Sequence, residues 1–124
     1  MGLHSDTEIY QTGYKLFDVV DVIAVNMRRP YNRRYGTKLQ DEHFEAMSLI
    51  FDVNTETDHK VRVEHLRQIQ KHVSRMETIL RFVKDKGLCA PSHHKQAIPL
   101  LVSMGKQATA WKNSEQAKIT KPAS

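Results

Sequence analysis

Thr57 to Gly87 reads TDHKVRVEHLRQIQKHVSRMETILRFVKDKG, and apolar residues recur in it at Leu66, Ile69, Val73, Met76, Leu80 and Val83. Steps of three and four place these six on one narrow stripe of a single helix, a stripe that only other helices can bury. Asn54 to Asp58 offers capping side chains and negative charge at the start. Lys84, Lys86 and then Gly87 suit the end. At 1.5 Å per residue the rod is roughly 40 Å long, so its partners must be long too.

The partners have the same spacing. Ile9, Gly13, Leu16, Val20, Ile23 and Met27 form a first ladder behind the capping-box pattern Ser5-Asp6-Thr7-Glu8, and Arg28-Arg29-Pro30 ends it. Tyr10, Tyr14, Phe17 and Ala24 widen that helix on one flank. Thr37-Lys38-Leu39-Gln40 reads as a second capping box, opening a helix with Phe44, Met47 and Phe51 on one side and Ala46, Ile50 and Val53 on another. Ala97, Leu101, Met104, Ala108 and Trp111 make the last ladder, in which Pro99 is expected to kink or divide the helix. Four helices are expected, at about 6–28, 37–54, 57–86 and 91–112. They make an all-α, up-down-up-down four-helix bundle over residues 1–112, and 113–124 reads as a flexible basic tail.

The 124 residues suit one domain, and no apolar run is long enough to span a bilayer. The first residues lack the pattern of a signal peptide, and the single cysteine, Cys89, cannot close an internal disulfide; a cytoplasmic location is expected. Charge is unevenly placed. Residues 1–58 hold six basic and ten acidic groups, and residues 59–124 hold thirteen and four, within a net charge of +5. Between Leu39 and His59 there are six acids and no Lys or Arg. A basic second half suits a polyanion or an acidic protein surface, and equally a merely solubilising exterior.

Chemistry-bearing motifs are sparse. There is no glycine-rich phosphate loop, Cys-x-x-Cys or His-Glu-x-x-His, and no two of the seven histidines lie four apart, so neither catalytic residues, nor a metal, nor a cofactor is expected. The basic features are more specific. Arg28, Arg29, Arg33, Arg34 and Lys38 lie within eleven residues and alternate with Tyr31 and Tyr35, a pairing that holds phosphates and stacks bases. The competing reading is that these arginines close the first helix and pair with the acidic second one. Arg67, Lys71 and Arg75 form a stripe at intervals of four, opposed only by Glu64; Arg81 lies one further turn along, with Glu77 four residues before it. Lys106 adds to the last helix.

Arg29-Pro30-Tyr31-Asn32-Arg33-Arg34-Tyr35-Gly36, with Leu39 and Ala46, resembles the basic and aromatic turn of a four-helix-bundle family that includes the ribosomal-RNA intervening-sequence proteins. Pro91, Ala97, Leu101, Gly105, Lys106 and Trp111 resemble the last helix of the accessory variability determinant proteins of diversity-generating retroelements. The likeness runs from about Tyr14 to Trp111 and departs from the family at Glu77 and Pro99. It implies a barrel-shaped homopentamer that binds RNA or DNA and a reverse transcriptase and supports mutagenic cDNA synthesis. Of the third-helix arginines that matter for the partner in that family, Arg81 matches best. The alternative is a homo-oligomeric protein-interaction module of the intervening-sequence type, with no reverse-transcriptase partner.

Overall fold

A computed structural model describes residues 7–120. They form α1 (Glu8–Asn26), a single π-helical turn (Asn32–Gly36), α2 (Thr37–Thr55), α3 (His59–Asp85) and α4 (Pro91–Thr120), with no strand among them. Cross-links between helices fix the topology. Asp21 accepts from Gln40, Glu42 meets His72, Gln70 bonds Thr109, and Gln107 reaches Thr12. Each helix therefore runs antiparallel to the next, and α4 returns to α1, closing a four-helix bundle.

Burial follows the ladders. All six stripe positions of α3 are buried, together with Val63 and Ile79, and so are the six positions named on the first helix. Burying a Leu, Ile or Met side chain contributes about 2 kcal/mol, so these seams supply most of what holds the helices together. On α2 the two apolar sides have different fates. Ala46, Ile50 and Val53 enter the core, whereas Phe44 and Phe51 face solvent at 65% and 46% exposure.

Both helix ends of α3 are chemically specified. Asp58 accepts from the Lys60 amide at 2.9 Å, a side-chain N-cap. At the other end Gly87 takes φ +65°, and the Leu88 and Gly87 amides donate to Val83 and Lys84 carbonyls at 2.8 and 3.0 Å. That is the Schellman arrangement, with buried Leu88 and Val83 both in the core cluster.

Four expectations about boundaries are corrected. Ser5 lies outside the described residues, and the residue in the extended N-cap conformation of α1 is Thr7. Thr37 is no cap. The chain is already helical at Gly36, the Thr37 hydroxyl lies over the Asn32 carbonyl, and Gln40 is spent on Asp21 instead of reaching back. Gly36 itself has ordinary helical dihedrals; what demands glycine is crowding, since an added Cβ would stand 3.0 Å from the Ala24 carbonyl oxygen of α1. Finally, α4 neither divides at Pro99 nor stops at Lys112. It continues to Thr120 because Glu115 is drawn wholly inside, against His59 and Arg62 of α3.

Candidate nucleic-acid interface

In an antiparallel bundle the first and third connections emerge at the same end. Arg28 and Arg29 follow the end of α1, Arg33 and Arg34 sit in the π-helical turn, and Lys38 lies in the first turn of α2; all five are exposed. The connection from α3 to α4 adds exposed Lys84, Lys86 and Lys95 at that end, against one acid, Asp85. Lys84 and Lys86 read in the sequence only as helix-ending residues; their part in this cluster follows from topology. None of these eight cations forms an ion pair among the described residues. The reading in which the arginines of the first connection are spent on the acids of α2 therefore fails.

Aromatic rings order this end. The Arg28 guanidinium lies 5.2 Å from the centre of the Tyr31 ring, within cation–π range, and Tyr31 and Tyr35 are parallel at 8° with centroids 6.2 Å apart. Tyr35 and Lys38 then line one groove with Arg75 and Phe82 of α3. The first connection and the middle of α3 are thus brought together, which no local reading of the sequence could show.

The other expected residues divide. Lys71 is exposed and in no ion pair, whereas Arg67 is held by Glu64 at 2.7 Å, and hydrogen bonds from Gln68 and Arg67 keep the Glu64 carboxyl below its ordinary range. Arg75 has a loose contact, 3.8 Å, with Glu42, which His72 already engages. Arg81 does not extend this row. Six residues beyond Arg75, it points round the helix toward α4, where it shares a hollow with Glu77, His94 and Val102. Lys106 lies in the adjoining α3–α4 groove, also beside Glu77. Arg81 shares its hollow with Lys84 and Asp85 and so borders the cationic end from the α4 side, whereas Lys106 lines neither that hollow nor the Lys38–Arg75 groove.

Histidines have structural partners. His59 donates to Glu115 at 2.6 Å, and His72 to Glu42. Glu56 and His59 have the spacing of a Glu-x-x-His pair, but His59 is turned to Glu115, and no group of three or more His, Cys, Asp or Glu among the described residues could hold a metal. His43 is 1% exposed, donates from Nε2 to the Gly13 carbonyl at 2.9 Å, and lies against Phe17. Burial lowers its pKa below the ordinary value, more than the Gly13 bond raises it. The unfolded chain therefore takes up a proton, from about pH 6.5 downward, that the folded chain refuses. Stability is full above that pH and falls as the pH drops toward the depressed folded value. His43→Gln, which retains a donor for Gly13, is expected to lose less of its urea midpoint between pH 7 and pH 5.5 than the wild type does.

No helix among the described residues is long and apolar enough to cross a membrane. No protein-family profile, curated protein or solved structure matches the chain.

Proposed function

We propose that this protein is a non-catalytic, nucleic-acid-binding accessory protein, of the kind that serves the reverse transcriptase of a diversity-generating retroelement in mutagenic cDNA synthesis. The observation that carries the binding reading is the bundle end bearing Arg28, Arg29, Arg33 and Arg34 with Lys84, Lys86 and Lys95, exposed and in no ion pair among the described residues. Such a surface holds phosphates by position and charge, independently of sequence. The retroelement and the reverse transcriptase come from the resemblance in the first connection and the last helix. In that reading Lys106, on the α3–α4 side, is left for a protein partner, and Arg81, beside Lys84, stands where that side meets the cationic end.

Self-association has its own support. Tyr14, Phe17 and Phe44 on the α1–α2 side are 50–65% exposed, and a cluster of large aromatic residues left in water marks an interaction surface. A homo-oligomer, a pentameric ring by resemblance, would cover it. The same face, on an acid-rich helix, favours the second reading, a protein-interaction module without nucleic acid. Solution mass tests self-association, which both readings expect, and a salt titration separates the two. Four engaged cations give a slope of roughly −3 in log K against log salt for RNA or DNA binding. A flat titration, or no binding at low salt, would leave the protein-only module.

A further inference from the structure

The α2–α3 groove adjoins the cationic end and shares Tyr35 and Lys38 with it. It is a cleft of about 640 Å³, within the range of sites for small ligands and far too narrow for a duplex to enter. It is lined by Lys38 and Arg75, by the acid Glu42, and by Tyr35 and the buried Ile79. Phe82 stands in it half exposed, an aromatic ring left in water beside two cations. Half of such a ring is left without a packing partner, and that half is of no use to a double helix, whose base faces are already stacked.

Phosphates alone would not account for Phe82. A base with its face uncovered would, because base–aromatic stacking is tolerant of sequence and works beside cations that follow the backbone. Tyr35 leads from the groove to Tyr31 and Arg28, so the stacking surface continues toward the arginines of the first connection. Lys71, one turn before Arg75 and in no ion pair among the described residues, continues the cationic row along α3. Glu42 also lines the groove; His72 holds one of its oxygens and Arg75 stands 3.8 Å from the other, so it offsets part of the Arg75 charge and none of that of Lys38 or Lys71.

From this arrangement we infer that the α2–α3 groove is a single-strand site, taking an unpaired base against Phe82 and Tyr35 while Lys38 and Arg75 hold the adjoining phosphates. The inference rests on the nucleic-acid reading above and specifies the form of nucleic acid and where it is seated. Discrimination between single strand and duplex then resides in the ring, and the overall salt dependence in the cations.

The experiment compares a single-stranded oligonucleotide with a duplex of equal length, at one salt concentration, on the full chain and on two variants of exposed residues. The wild type should bind the single strand more tightly. Phe82→Leu keeps an apolar side chain and helicity, and should lower single-strand affinity about tenfold with duplex affinity within about twofold of wild type. Arg75→Gln should weaken single-strand binding and reduce its salt slope by about one, with duplex affinity little changed. Single-strand affinity unchanged in Phe82→Leu, or single strand and duplex weakened alike, overturns the groove assignment while salt-dependent binding keeps the broader reading. Absence of binding to either oligonucleotide removes both.

Discussion

Exchanging Arg33 and Arg34 for glutamate should lower nucleic-acid affinity on the order of 100-fold near physiological salt, with the helical content and the unfolding midpoint unchanged. Each phosphate contact contributes a slope of about −0.7 to −0.9 in log K against log salt, so losing two contacts costs roughly tenfold or more at that salt, and the new negative charges add repulsion. The folded state should not register the change, because both side chains are exposed and hold no carboxylate. Arg67→Ala is the internal comparison. Its guanidinium is already occupied by Glu64 at 2.7 Å, and its removal should alter affinity by only a few-fold. Charge for charge the comparison is Arg33→Ala, and equal losses in Arg33→Ala and Arg67→Ala would mean that binding responds to net charge alone. Unchanged affinity in the double charge reversal would assign the first connection to closing the fold and nothing else.

Arg62→Ala should cost about 3 kcal/mol, because it leaves the fully enclosed Glu115 carboxylate short of its best cation. Arg62 Nε lies 3.0 Å from Glu115, its guanidinium sits 5.7 Å from the Trp111 ring centre, and Nη1 donates to the Glu56 carbonyl. One side chain thus ties the start of α3 to the end of α4 and to the preceding connection. His59 and Lys118, at 2.6 and 3.5 Å, remain as partial compensation, which places the cost at the lower end for a broken buried pair. For a chain of this size that is on the order of 10 °C in Tm. Glu115→Gln removes the buried charge and leaves two cations that can turn to water, so its cost should be smaller. A chain ending at Lys112 should be destabilised too, by thermal or urea denaturation. If Arg62→Ala and the shortened chain both unfold at the wild-type midpoint, the last turns of α4 contribute nothing to the fold.

The shortened chain also bears on how far the sequence can be read. After Trp111 the only large apolar residue is Ile119, and a segment without an apolar seam gives no periodic signal. What makes it helical is one acid meeting two partners more than fifty positions earlier in the chain. The Thr37 boundary failed for a related reason. A serine or threonine with Glu or Gln three residues on is a capping box only where its own backbone is non-helical, and here Thr37 and the Gly36 before it both have helical dihedrals.

The candidate interface was legible in part. Arg33 and Arg34 could be recognised because five cations and two tyrosines lie within eleven residues, and their exposure follows from their place in a connection. The separation of Arg81 from Arg75 was in principle available from the helical angle, since six residues turn about 240°. Phe82 was not. Beside a buried Val83 it looks like core, and only the position of α2 shows it standing in an open groove with Lys38.

The sequence by itself determined the four helices and the face that the first, third and fourth bury, because steps of three and four fix a stripe within one helix and apolar surface must leave water whatever the partner. Gly87 and Asp58 ended and began α3 through contacts with residues a few positions away. Tertiary structure alone decided which edge of α2 went inward, where α4 stops, and which cations stand together. Those outcomes depend on the electrostatic and packing environment built by residues distant in the chain, and no local spacing encodes that environment.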